Sequence, residues 1–168
     1  MIQTERLRLI PARSEHYEAM RAGDEALGRL LGVSVADGWE GLPDHRDAIA
    51  SGDAFLEANP DAADWWTHLF LHEATLVGVG GFKGAPAEGV VEIGYALAPA
   101  WRGRGLALEA ARGLMEHAFA RADVRQVQAH TLAEQNASTR ILAKLGMQHV
   151  ESFHDPDDGE VWRWEARR

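Results

Sequence analysis

The amino-acid sequence predicts an α+β domain, a mainly antiparallel sheet with helices on both faces. Three observations carry that expectation. Strand-like runs with a two-residue period crowd together between positions 65 and 98, close enough in sequence to form an antiparallel meander. The period then changes to three and four residues over positions 106–118, the mark of a long amphipathic helix. Strand and helix patterns go on alternating to a C-terminal hairpin.

Taken in order, Thr4 to Ile10 alternates, with Leu7 and Leu9 on one side and Arg6 and Arg8 on the other, and reads as the first strand. Ser14 can cap a helix through about Met20, which Gly23 closes. Helical segments follow near Asp24–Leu31 and Asp44–Ala58, with Gly32 and the Asn59-Pro60 pair as their stops. Trp65–His72 is rich in aromatics and reads as a strand, and His72-Glu73-Ala74 turns the chain into Thr75–Phe82. Val90–Ala98 completes the meander, with Val91, Ile93, Tyr95 and Leu97 on one face and Glu92, Gly94 and Ala96 on the other. A helix at Gly105–Arg121, a strand at Val124–Leu132 and a helix at Asn136–Leu145 come next, and Gly146 suits the αL position that ends the last of these. Gln148–Phe153 and Val161–Glu165 form the closing hairpin around Asp157-Asp158-Gly159. No repeat, low-complexity stretch or linker intervenes, so residues 1–168 read as one domain.

Composition limits the function. Hydrophobic residues at 46% and charged residues at 26% are the balance of a soluble globular chain. No apolar run reaches the roughly 18 residues of a membrane helix, and the first residues lack a signal pattern, so a cytoplasmic location without membrane contact is expected. The absence of cysteine removes disulfides, thiolate metal sites and a cysteine nucleophile. A net charge of −9 repels phosphate backbones, which argues against nucleic acid as a partner, and attracts cationic substrates such as amines. The same charge also serves solubility alone. His68 and His72 are four apart but lie in a strand pattern without a Glu-x-x-His arrangement, so no metal is expected.

The most informative stretch runs from Leu97 to Ala107. A strand ends, a turn containing Gly103 and Gly105 follows, and a long helix begins. The first N–H groups of a helix have no internal partner and its dipole is positive there, so such a turn can seat a pyrophosphate. Arg102 and Arg104 add positive charge to an otherwise acidic chain. A plain strand-to-helix turn would also use these glycines. No Lys-Ser or Lys-Thr follows them, which excludes a P-loop, and position 108 is leucine where a dinucleotide motif needs a small residue.

Arg102-Gly103-Arg104-Gly105-Leu106-Ala107 resembles the Q/R-x-x-G-x-G/A signature of the GNAT superfamily of N-acetyltransferases. Glu92-Ile93-Gly94-Tyr95-Ala96-Leu97, the stretch Asn136–Met147 and the opening Thr4–Leu9 are similar to its ribosomal-protein (Rim-type) branch. The likeness spans most of the chain. It implies the GNAT fold with a splayed central strand pair, acetyl-CoA as cosubstrate, and direct transfer of the acetyl group to a primary amine in a ternary complex, a protein N-terminal α-amine being favoured. It further implies that Arg102, Gly103, Arg104, Gly105, Leu106 and Ala107 hold the CoA pyrophosphate, that Tyr95, Leu97 and Ala98 offer backbone groups to the pantetheine arm, and that Asn136 contacts CoA.

For catalysis the resemblance implies Glu92 as the base and Ser138 as the group that protonates the leaving thiolate. Each has a plainer reading. Glu92 can be a structural carboxylate bonded to a neighbouring strand, and Pro99 can simply end an edge strand. Asn136 or Ser138 can cap the helix, and Gln135 holds the alternative register for the CoA contact. Arg140 and Lys144 share a helix face, which either meets the CoA 3′-phosphate or is solvated. Trp65 and Trp66 are core residues or line the acceptor cleft. Two rivals remain: an acetyltransferase of a small amine or an antibiotic, and a non-catalytic acyl-CoA-binding regulatory module. The final hairpin could pair with a second copy to form a homodimer.

Overall fold

In the computed structural model, which describes residues 1–39, 42 and 45–168, the alternating segments form one nine-stranded mixed sheet. In chain order the elements are β1 (Ile2–Gln3), β2 (Leu7–Pro11), α1 (Ser14–Ala22), α2 (Asp24–Leu31), β3 (Ser34–Val35), α3 (His45–Ala58), β4 (Thr67–His72), β5 (Thr75–Phe82), β6 (Val90–Leu97), α4 (Leu106–Phe119), β7 (Gln126–Leu132), α5 (Ala137–Lys144), β8 (Gln148–Asp155) and β9 (Gly159–Arg167). The expected start of α3 at Asp44 lies outside the described residues. The sheet order is β1-β2-β4-β5-β6-β7-β9-β8, with β3 added beside the start of β5. All neighbours are antiparallel except β6–β7 and β3–β5.

Helices cover both faces. On one, α4 and α5 bury Leu106, Ala110, Leu114 and Leu142 against Leu9, Phe70, Val91, Ile93 and Val127. On the other, α1 to α3 bury Tyr17, Leu27 and Leu56 against Leu69, Leu71 and Val79. Apolar residues on both faces of β4 explain why Thr67 to Leu71 are all buried. The β6 alternation holds, with Val91, Ile93 and Leu97 in the α4 core.

Three local expectations change. Thr4–Arg6 is a turn rather than strand, because the Thr4 hydroxyl and amide both bond the Leu7 carbonyl (3.1 and 2.9 Å) and fold Ile2–Gln3 back onto β2. Trp65 belongs to a 3₁₀ turn, Ala63–Trp65, and β4 starts two residues later. The N-cap of α1 is Arg13 rather than Ser14, and the His16 imidazole accepts the Arg13 N–H at 3.0 Å.

The feature that positions the site is the join between β6 and β7. These parallel strands pair only at Val90–Gln126, Val91–Val127 and Glu92–Gln128, and then part. The Glu92 carbonyl accepts from Lys83 and the Ala98 amide donates to Val77, both on the β5 side. Backbone groups alternate sides along a strand, so those of Tyr95 and Leu97 face the gap that β7 has left.

Candidate active site

A cleft of about 510 Å³ fills that gap on the helical side of the sheet. Tyr95 and Leu97 form one wall, the Gly103–Gly105 turn and Ala107 a second, and Asn136 with Ser138 a third. Tyr95 and Ser138, 43 positions apart in sequence, thus meet because β6 and β7 each feed a helix from the same end of the split.

The glycine turn is built for backbone exposure. Gly103 and Gly105 have φ of +74° and +79°, values that L side chains rarely adopt, and a β-carbon on Gly103 would meet no atom within 4 Å. Gly105 is the N-cap of α4 and supplies no side chain to its first turn. The first i→i−4 bond of the helix runs from Glu109 N–H to the Gly105 carbonyl (3.1 Å), so the amides of Leu106, Ala107 and Leu108 precede it. Arg102, Arg140 and Lys144 also line the cleft, and there is no carboxylate among the described residues of its lining. In a chain of net charge −9 this is a cationic cavity suited to an elongated anion.

Other expected residues occupy supporting positions. Arg102 Nε donates to the Leu97 carbonyl at 2.9 Å and ties the turn to the end of β6. Arg104 lies over the Trp101 ring (4.8 Å), outside the cleft lining. Leu106 is buried in the core, so only its backbone can meet a ligand. Ala98 is buried with its N–H bonded to Val77 and its carbonyl to Trp101, which removes it from the cleft wall. Asn136 lines the cleft and also caps α5: its Oδ1 accepts the Thr139 amide while Thr139 Oγ1 accepts the Asn136 amide, both at 3.0 Å. Ser138 is not the cap, and exposed Gln135 does not line the cleft.

Glu92 lies on the opposite face of β6, at the last rung before the split. Its Oε2 accepts from Gln128 Nε2 at 3.2 Å, and its Oε1 is 3.0 Å from His130 Nδ1. Gly94 is next along this face, and a β-carbon there would meet only Lys83 Cε, at 3.9 Å, so the floor beyond Glu92 is bare. Trp65 and Trp66 are elsewhere, packed on Phe82 and Phe55. Among the described residues no cluster of His, Cys, Asp or Glu could hold a metal, and no helix is long and apolar enough to cross a membrane.

Sequence reasoning missed three parts of the site. Burial alone would raise the Glu109 carboxyl, but the Thr4 hydroxyl (2.6 Å), the Arg6 amide (2.6 Å) and the Arg6 guanidinium (2.7 Å) outweigh it and hold the group below its ordinary value. Arg6 also donates to the Arg104 carbonyl at 3.0 Å, so the N-terminal turn clamps the glycine turn in place. His130 is the second part. The third is the Tyr95 side chain, whose hydroxyl crosses the split to within 3.5 Å of the Ser138 carbonyl and is pushed above its ordinary range by burial.

Known proteins share this fold. The family model described as "Acetyltransferase (GNAT) domain" matches residues 6–148. An uncharacterized N-acetyltransferase of Bacillus subtilis, YjdG, is 28% identical over 153 residues, covering 87% of this chain and 88% of that protein. Among solved structures, the ribosomal L7/L12 alpha-N-protein acetyltransferase RimL in complex with coenzyme A matches with a TM-score of 0.69 at 19% identity, covering 98% of this chain and 95% of that one. A GNAT-family acetyltransferase from Bacillus anthracis matches with a TM-score of 0.67, also at 19% identity, covering 99% and 97%. The chain belongs to the GNAT family of N-acetyltransferases and is an acyltransferase.

Proposed function

We propose that this protein transfers an acetyl group from acetyl-CoA directly to a primary amine, and that the amine is the N-terminal α-amine of a polypeptide. The observation that carries this reading is the cationic, glycine-lined cleft in the β6–β7 split, with Glu92 on the other face of the same strand. The open backbone of Gly103 and the unbonded first turn of α4 fit a pyrophosphate. Acetyl-CoA supplies an activated thioester whose sulfur leaves as a thiolate.

The chain's own residues do the rest. Backbone groups of Gly103 to Ala107 bind the pyrophosphate, and Arg102, Arg140 and Lys144 add charge. Tyr95 and Leu97 orient the pantetheine arm along the gap, with Asn136 on its far side. Ser138, in the first turn of α5, gives the departing sulfur its proton. Glu92 places a negative charge where the amine must lose a proton. An α-amine has a pKa of about 7.7–8.0 and a lysine about 10.4, so the α-amine needs less help at neutral pH. The bare floor at Gly94 leaves room for a chain end. Similarity to RimL, a protein N-terminal acetyltransferase by its description, supports the same acceptor class.

Thiol release from acetyl-CoA tests the reading, with short peptides bearing free α-amines compared against polyamines and aminoglycosides. Peptides should be turned over fastest. Turnover of the small amines alone would replace the acceptor class, and acetyl-CoA binding without turnover would indicate a binding module.

A further inference from the structure

Resting on that reading, we propose that His130 takes the proton from the acceptor amine, and that Glu92 positions the imidazole and balances its charge. The assignment comes from where the two strands part. His130 lies two residues beyond Gln128, the last β7 residue paired to β6, and therefore on the same face as Gln128, at the opening of the split. Its Nδ1 faces Glu92 Oε1 at 3.0 Å, which leaves Nε2 pointing away from the carboxylate and without a hydrogen-bond partner among the described residues. Glu92 has both oxygens occupied from β7, one by Gln128 and one by His130. The carboxylate is thus spent on side chains of its own sheet, while the imidazole has a free edge. Both side chains are about a quarter exposed (25% for Glu92, 27% for His130), so water and substrate reach them.

Imidazole is a stronger base than a carboxylate, and its orientation by a carboxylate on one nitrogen frees the other to accept a proton. Other charged groups face the imidazole from β8 and β9. Arg163, opposite His130 on β9, is held by Glu151 of β8 (3.0 Å) and by Glu165 (3.3 Å), and Asp155 of β8 accepts two backbone amides. The Phe153 ring meets the imidazole edge-on at 5.5 Å and fixes its plane. Lys83 is the cation nearest the bare floor at Gly94. In the proposed step the amine lone pair forms the C–N bond to the thioester carbonyl carbon, one N–H proton passes to His130 Nε2, and the C–S bond breaks with its electron pair on sulfur. Imidazolium is left beside the Glu92 carboxylate, and solvent takes its proton before the next turnover.

The test uses acetyl-CoA, a short peptide with an N-terminal serine, and the variants His130→Gln, Glu92→Gln and the double substitution. His130→Gln should lower kcat by about 10²-fold or more near pH 7, the usual range for a lost general base, with acetyl-CoA affinity kept. Glu92→Gln should cost less, because the imidazole keeps its accepting nitrogen and loses only the partner that orients it. The double variant should be no slower than His130→Gln alone, since the two act as one unit. A His130→Gln enzyme with near wild-type kcat, or a Glu92→Gln loss exceeding that of His130→Gln, overturns the proposal. A readout free of turnover is the tautomer of the His130 ring by nitrogen-detected NMR, which should favour the proton on Nδ1 in the wild type and lose that preference on Glu92→Gln; an unmoved tautomer balance overturns the pairing. Wild-type protein that binds acetyl-CoA and acetylates no amine would overturn the function itself, whereas an active wild type with an unimpaired His130→Gln variant overturns the pair alone.

Discussion

The two sides of the β6–β7 split carry opposite chemistry. On the helical side the lining is glycine turn, helix N-terminus, Arg102, Arg140 and Lys144, with no carboxylate among the described residues. On the open side are Glu92, Glu151 and Glu165, with His130 and Arg163 between them. One strand divides the two: Tyr95 and Leu97, with Ala96 between them, line the first, and Glu92 and Gly94 belong to the second. An anionic donor and a cationic acceptor can then approach a single backbone gap from opposite faces without competing for charge. The net charge of −9 read from the sequence describes neither face. A net charge is a sum, and the fold sorts its terms.

A core residue far from either face sets the scale against which site effects are measured. His68 is fully buried on β4, and burial lowers its pKa from 6.5 to about 4. The imidazole is neutral in the folded chain and protonates more readily in the unfolded one. Stability is therefore complete above pH 6.5 and is lost as pH falls toward 4, by about 3 kcal/mol at most on the linkage relation. Urea midpoints between pH 7 and 4 should fall accordingly, and His68→Met should flatten the slope. Kinetic profiles for the site must be read above this window.

Next in size is a charge placed on the donor side. Gly103→Asp suits the position, because aspartate tolerates φ near +74° better than most residues and its β-carbon meets nothing. It should weaken CoA about 100-fold by calorimetry, while the uncharged Gly103→Asn loses less than about tenfold. Equal losses would mean that shape rather than charge sets affinity. The clamp gives a smaller effect: Arg6→Ala removes the two guanidinium hydrogen bonds, to Glu109 and to the Arg104 carbonyl, that hold the glycine turn and should weaken CoA about tenfold with kcat little changed. The Arg6 amide survives the substitution, so two guanidinium bonds account for the loss. On the acceptor side, Gly94→Val fills open floor and should raise peptide KM several-fold while CoA affinity stays within about twofold. A change in CoA affinity there would erase the division between faces.

How much of this was legible in the sequence follows from range. The β6 alternation and the period of α4 are local, and both stand as read. The glycine turn was legible because positive φ needs glycine at two nearby positions. Two-residue strands such as β1 and β3 have no period to detect, and the Thr4–Arg6 turn alternates as a strand does. The Arg6–Glu109 and Glu92–His130 contacts join residues 103 and 38 positions apart, and nothing local announces them. The Asn136 cap was among the readings weighed, and the structure assigns it to Asn136 rather than Ser138.

Hydrogen exchange with and without acetyl-CoA tests the division most directly. Amides of the Gly103–Leu108 turn, of Tyr95 and Leu97, and of the start of α5 should be protected on binding, with β8 and β9 unchanged. Protection across β8 and β9, with the glycine turn exchanging as before, would contradict the account.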